Sequence, residues 1–397
     1  MKHNLTMRFF FLMTIICTTA TAVSSLASAS PFRRNVRWAL RGIVAEMVHN
    51  IFLRPFQKQQ EEEIYIVPKN NQKELAIVTG ATGGMGVEIC KGLVERNYEV
   101  LVLARNIPKG QALAESLESA TFVEYHADDF AKDSFRSLFN VIGERPVSVL
   151  VNNAGVMGGS KVDTVQINLV APVMLTLSLL SSLKRKKSSS INPVVVNVGS
   201  SSHLRASHVP HNYQHTDDED NHNINMIDAN LSAYAESKLG LMQFSNIVRH
   251  SIPWLSVMDA HPGLVWTPLL QNHFPGAKYL ERLGLSKLLY KNPAEGAATI
   301  LAAVDAGRRR GKTNNNSEEQ VYFVNRRPGG YASPESNDYE SAKTLWNTWL
   351  GPAVNQMDEG YSEVCQGLSL ATKNNNNEKE EEGKREEDDE EKNVSEL

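Results

Sequence analysis

Between residues 74 and 200 the chain alternates two textures. The runs LAIVT, YEVLVLA, TFVEY, VSVLVN and PVVVNV are apolar almost without interruption, and each ends in small or polar residues. Between them, VEICKGLVERN and QALAESLES repeat apolar positions at helical spacing. Unbroken Val/Leu/Ile runs predict strands buried on both faces, as in a parallel sheet covered by helices. Their alternation with helices predicts an α/β, doubly wound Rossmann-type fold. One domain is expected over 72–352, closing near KTLWNTWL, with no internal repeat. Two polar stretches, 208–225 and 308–320, read as loops within it.

The flanks differ from this domain. Residues 1–29 carry a basic start, the apolar run FFFLMTIICTTATAV and the small residues Ala27 and Ala29. The run is shorter than the ~20 residues of a membrane span, so the order predicts a secretory signal peptide, with an uncleaved signal anchor as the alternative. Residues 30–71 begin with arginines and contain no acid before Glu46. Val36, Leu40, Ile43, Val44, Met47, Val48 and Ile51 form a helical stripe there. The stripe fits a helix on a membrane surface, a transit segment, or a helix covering the domain. Residues 353–397 end in an acidic, asparagine-rich tail (EKEEEGKREEDDEEK), too poor in apolar side chains to offset the entropy of ordering.

Composition narrows the function. A chain of 397 residues with 41% apolar content can bury a large core, and a net charge of −4 gives no basic footprint for nucleic acid. Cys17, Cys90 and Cys365 make neither a disulfide framework nor a paired metal spacing. Cys90 falls on a predicted helix and reads as a small buried hydrophobe. His203, His208, His211, His215 and His222 cluster beside Asp217–Asp220 without a defined ligand set. A polar insertion is expected there, and no metal site.

The first strand runs into TGATGGMG, where Gly80, Thr82, Gly84, Met85 and Gly86 close the strand and open a helix. Glycines there let the backbone approach a pyrophosphate at the helix N-terminus, where free N–H groups and the dipole favour an anion. At the end of the second strand, where an acid would bind the ribose 2′-OH of NAD, stands Arg105. A guanidinium suits the 2′-phosphate of NADP, so NADP(H) is the expected cofactor. In NLSAYAESKLG, Tyr234 and Lys238 stack one turn apart on a helix face.

TGATGGMG (79–86), Asp129, NNAG (152–155), Asn168 in QINLVAP, Ser200 in VNVGSSSH, YAESK (234–238) and HPGLVWT (261–267) occur in the order seen in one family. The chain resembles a short-chain dehydrogenase/reductase, in the retinol-dehydrogenase-like and plastid-translocon-associated branch, over roughly residues 74–350. The resemblance implies that Tyr234 is the general acid/base and that Lys238 favours its phenolate and holds the nicotinamide ribose. Ser200 would orient the substrate oxygen, and Asn168 would support a water relay to Lys238. Asp129 would meet the adenine, and Asn153, Ala154 and Gly155 the adenosine ribose. Pro262, Gly263, Val265 and Thr267 would border the nicotinamide. The chain departs from the branch in having Gly199-Ser200 where Ser-Ser is usual, and Ser201 and Ser202 leave the position ambiguous by one.

The expected function is carbonyl–hydroxyl interconversion on an apolar small molecule, a retinal-like or other lipophilic aldehyde or ketone. Two alternatives are a regulatory NADPH-sensing component of a membrane assembly and a C=C reductase resembling protochlorophyllide reductases. An oligomer, and membrane association through the N-terminal segment, are compatible with the sequence. The signal sequence addresses the endomembrane system. Followed by an Arg-rich stretch, it also resembles the bipartite presequences of algae with complex plastids.

Overall fold

The computed structural model describes residues 42–43, 45–53, 73–127, 135–183, 192–209, 226–272, 277–310, 321–357 and 368. The expected signal segment, most of the histidine-rich insertion, Asp129 and the acidic tail lie outside the described residues. Among the described residues, eight strands form one sheet: β1 (Glu74–Thr79), β2 (Tyr98–Ala104), β3 (Ala120–Glu124), β4 (Val147–Asn152), β5 (Val194–Val198), β6 (Ser256–His261), β7 (Tyr322–Val324) and β8 (Arg327–Pro328). Their order is β3-β2-β1-β4-β5-β6-β7-β8. All neighbours pair in parallel except β7 and β8. The α/β doubly wound architecture is the one the apolar runs predict. The strand order reverses between β1 and β4, and such a switch point opens a crevice beyond the carboxyl ends of the strands.

Alternate strand residues feed two cores. Leu75, Ile77, Leu101, Leu103 and Leu150 face the layer built by residues 161–183, 226–251 and the C-terminal helices. Ala76, Val78, Val100, Val102 and Val151 face the helices Gly84–Glu95 and Pro293–Arg310. Both faces of β1, β2, β4 and β5 are therefore dry, which is why those strands carry no polar alternation, whereas the edge strand β3 leaves Thr121 and Glu124 exposed. Each fully buried Val, Leu or Ile contributes about 1.5–3 kcal/mol relative to exposure.

The polar exceptions in these strands fix a helix. Asn152 Nδ2 donates to Asn197 Oδ1 at 2.8 Å, and Asn197 Nδ2 donates to Ser245 Oγ at 2.8 Å. Ser245 Oγ in turn donates to Asp259 Oδ1 at 2.7 Å, and Arg249 Nη1 reaches Asp259 Oδ2 at 3.0 Å. This chain of partners crosses β4, β5 and β6 and sets the register of the helix Met226–Ser251 against the sheet. Phe244 of that helix stacks on Trp346 at a centroid distance of 6.2 Å. Tyr234 and Lys238 ride on the same helix, so their position is inherited from this packing.

Helical structure continues through Gly351–Met357, past the expected boundary at 352, and Leu368 is buried in the same core. At the other end, Ala45–Val48 and the π-helical turn His49–Leu53 pack against the region after β6. Among the described residues, no helix is long and apolar enough to cross a membrane.

Candidate active site

A groove of about 380 Å³ lies at the switch point. Its walls include Gly80, Thr82, Gly84, Met85 and Gly86 from the first turn, and Arg105 after β2. Asn153, Ala154 and Gly155 after β4, with Thr267, complete the predicted residues that line it. Pro262, Gly263 and Val265 do not line it; their loop is held by Lys291, which donates to the Pro262 carbonyl and bridges Val265. Asp129 lies outside the described residues.

Close backbone approach shapes the groove. Gly80 has φ +60°, and a Cβ there would stand 2.8 Å from Ala154 Cα. A Cβ at Gly86 would come within 2.3 Å of the Gly80 carbonyl oxygen, so only glycine lets the helix begin this near the strand. Gly83, at the N-cap, has no side chain with which to cap that helix. Its first N–H groups have no intrahelical partner and sit at a groove with Arg105 in its wall, a donor set suited to an anionic dinucleotide.

Thr79, not singled out among the site residues from sequence, binds the two walls together. Its Oγ1 accepts from the N–H groups of Asn153 and Ala154, both at 3.0 Å. Asn153 Nδ2 returns bonds to the Thr79 and Gly80 carbonyls at 3.0 and 3.1 Å. Asn168 holds the next part of that wall from a π-helical turn, Gln166–Val170. Its Oδ1 accepts from Val156 N–H at 2.8 Å. Its Nδ2 donates to the Val156 carbonyl at 2.9 Å and to Ser237 Oγ at 3.2 Å. The Asn168 amide is thus committed to the chain, which makes its side chain a brace for the groove.

Tyr234, Lys238 and Ser200 converge beyond the Gly155 end. Tyr234 and Lys238 are 8% and 4% exposed, and Lys238 Nζ is 5.8 Å from the Tyr234 ring centroid. A Cβ on Gly155 would stand 3.6 Å from Lys238 Nζ, so the groove wall passes directly beside the ammonium. Lys238 Nζ donates to the Val198 carbonyl at 2.9 Å. Burial pulls its pKa down to about 8. Burial pushes the Tyr234 phenol up, and a hydrogen bond with Ser200 pulls it back part of the way.

Of the three serines in GSSS, Ser200 is the one whose hydrogen bond bears on the Tyr234 phenol. It caps the 3₁₀ turn Ser201–Arg205, its Oγ accepting from Ser202 N–H at 3.2 Å. His203 secures it from behind. The ring Nδ1 donates to the Ser200 carbonyl at 2.6 Å, and Nε2 accepts from Ser333 N–H at 3.1 Å. One nitrogen donating and one accepting is the neutral tautomer. Burial first of all, with the nearby His261, lowers the His203 pKa to about 4 even though the Ser200 bond pulls it up. Tyr322 packs edge-on against this ring at 5.5 Å. No spacing in the sequence points to Tyr322 or Ser333, because both arrive from the far end of the chain.

Cys90 is buried, and burial alone raises its thiol to about 12, which removes it as a nucleophile.

The model of the short chain dehydrogenase family matches residues 74–214. Human polyprenol dehydrogenase is 30% identical over 258 residues, covering 58% of this chain and 72% of that protein. The zebrafish (Danio rerio) polyprenol dehydrogenase is 29% identical over 258 residues, with 60% and 76% covered. The chloroplastic short-chain dehydrogenase TIC 32 B of Brassica napus is 27% identical over 242 residues, with 56% and 73% covered.

Proposed function

The chain belongs to the short-chain dehydrogenase family of oxidoreductases, and on that premise we propose that it interconverts a carbonyl and a hydroxyl on an apolar molecule with NADP(H). The observation that carries the proposal is the convergence of Ser200 and Lys238 on Tyr234 beside the glycine-walled groove. When bound, the nicotinamide supplies or accepts the hydride. The chain's own part is proton transfer and position. In reduction Tyr234 gives its phenolic proton to the substrate oxygen, and in oxidation it takes one from the alcohol. The Ser200 hydroxyl orients that oxygen, and protonated Lys238 holds the cofactor ribose and offsets the phenolate charge. The brace at Asn168 keeps the wall at Val156 in register with Lys238.

Arg105, with no carboxylate at the end of β2, favours the 2′-phosphate of NADP(H) over the free hydroxyl of NAD(H). An apolar substrate is supported by the region after β6, where Leu264, Trp266, Leu270, Leu280 and Leu288 gather next to the groove wall at Thr267. The relatives named for polyprenol point to a long isoprenoid alcohol or its aldehyde within that class. The signal-like N-terminus fits an endomembrane location.

The test is turnover of NADPH with a panel of lipophilic aldehydes and ketones, and of NADP with retinol and polyprenols. Oxidation or reduction of at least one apolar substrate is expected. Tight NADPH binding with no turnover across the panel would instead favour the regulatory, cofactor-sensing role.

A further inference from the structure

The least expected contact is made by a residue that precedes the domain. Glu46, on the short helix Ala45–Val48, is 5% exposed and lies against the loop that follows β6. Its carboxylate accepts from His261 Nε2 with one oxygen and from Leu264 N–H with the other. Lys291 reinforces the same loop, donating to the Pro262 carbonyl at 2.9 Å and to Asn325 Oδ1 at 2.6 Å. Gly263, φ +91°, fits between them: a Cβ would stand 2.6 Å from Lys291 Nζ and 3.1 Å from Glu46 Oε2.

The His261 ring is buried, and its Nδ1 makes no hydrogen bond among the described residues, so Glu46 is the one hydrogen-bond partner of the ring there. Burial alone would push the Glu46 carboxyl up. The charges and hydrogen bonds of His261, Lys291 and Leu264 outweigh it and leave the group below the ordinary carboxylate range.

The next turn adds an apolar hold. Asn50 Nδ2 donates to the Leu289 carbonyl at 2.8 Å. Ile51, 1% exposed, is buried with Leu289 and Tyr290, and Leu264, Trp266 and Leu285 pack around them. The segment thus grips both ends of the stretch 262–291. That stretch carries Thr267, Pro268 and Leu269, which form one wall of the groove.

We propose that residues 46–51 are a clasp, with Glu46 as its positioning residue, that holds the 262–291 segment in place, and that N-terminal processing of this chain ends upstream of Glu46. The clasp's effect on cofactor binding rests on the function proposed above. Its mechanical role does not.

The test uses the full chain and Glu46→Ala, Glu46→Gln and Ile51→Ala variants, followed by hydrogen exchange. Peptides over 262–267 and 285–292 are expected to exchange at least about tenfold faster in Glu46→Ala and Ile51→Ala, while those over β1, β2 and β5 are unchanged. Glu46→Gln should fall between, because an amide has one oxygen to share between His261 and Leu264 N–H. NADPH titration should show the same ranking, with Glu46→Ala weakened most and Glu46→Gln recovering part of the affinity. Exchange that is unchanged, or faster uniformly across the sheet, overturns the proposal. So does a mature N-terminus beyond Glu46, read by mass spectrometry of the protein from its own cells. If the unmutated protein binds no NADPH, the cofactor assignment fails while the exchange comparison still decides the clasp.

Discussion

Lys238 Nζ stands 5.8 Å from the centroid of the Tyr234 ring while donating to the Val198 carbonyl. The ammonium is buried, and burial lowers its pKa to about 8. A ribose accepting from the same nitrogen would favour the charged form and raise that pKa. Binding NADPH between pH 8 and 9 should therefore take up a fraction of a proton, and affinity should fall as pH rises above 8. Titration calorimetry in two buffers of different ionisation enthalpy measures the uptake. A buffer-independent heat at pH 8.5 would contradict it.

Removing the phenolic hydroxyl separates chemistry from binding. Tyr234→Phe keeps the ring packing but has no proton to transfer, so kcat should drop by roughly 10²–10⁴. NADPH affinity should stay within about threefold, since Lys238 and the groove walls are untouched. Parallel loss of cofactor binding would mean that Tyr234 is a packing residue.

Arg105 lines the groove at the end of β2. A surface-exposed, charge-assisted contact to a 2′-phosphate is worth roughly a factor of ten in affinity. Arg105→Ala should weaken NADPH by about that factor and leave NADH nearly unchanged. Equal weakening of both cofactors would place the arginine on the pyrophosphate instead.

What the sequence made legible follows from how local each signal is. The strands β1, β2, β4 and β5 are unbroken apolar runs because both faces are buried, and a turn such as TGATGGMG is contiguous. Tyr234 and Lys238 share a helix face, so their spacing alone brings them together. The contacts that position them are not local. Glu46 meets His261 across 215 positions, and His203 meets Ser333 across 130. One glutamate in a basic stretch and one serine in a loop have no periodicity to betray them. The π-helical turn at Asn168 is equally silent, since the helix that follows, Ala171–Ser178, is buried at every position from Ala171 to Leu177 and offers no apolar stripe in which a one-residue shift would show. The resemblance puts Pro262, Gly263 and Val265 beside the nicotinamide; of that stretch Thr267 lines the groove, while Lys291 holds Pro262 through its carbonyl.

Asn168 braces the groove through three hydrogen bonds, two of them to Val156. Truncation would leave the Val156 N–H and carbonyl unsatisfied in a half-buried wall, at roughly 1–3 kcal/mol. Asn168→Ala should therefore lower Tm by several degrees and weaken cofactor binding together. Asn168→Asp should be no better, because it replaces the donor to the Val156 carbonyl with a second acceptor. Unaltered Tm with lost turnover would move Asn168 from brace to proton relay.

His203 ties the serine loop to the C-terminal segment only while neutral, since Nε2 must accept from Ser333 N–H. Its folded pKa is about 4, below the ordinary 6.5, so the unfolded chain takes up the proton first. Stability is then intact above about pH 6.5, is lost as pH falls through 6.5 toward 4, and the loss, about 3 kcal/mol, is complete below the folded pKa. Glutamine offers the same donor and acceptor without a titrating site. In His203→Gln the Tm between pH 7 and 4.5 should decline less steeply than in the unmutated protein, whatever the offset at pH 7. Parallel slopes for the two proteins would show that acid lability arises elsewhere, and that the Ser200–His203–Ser333 connection survives protonation.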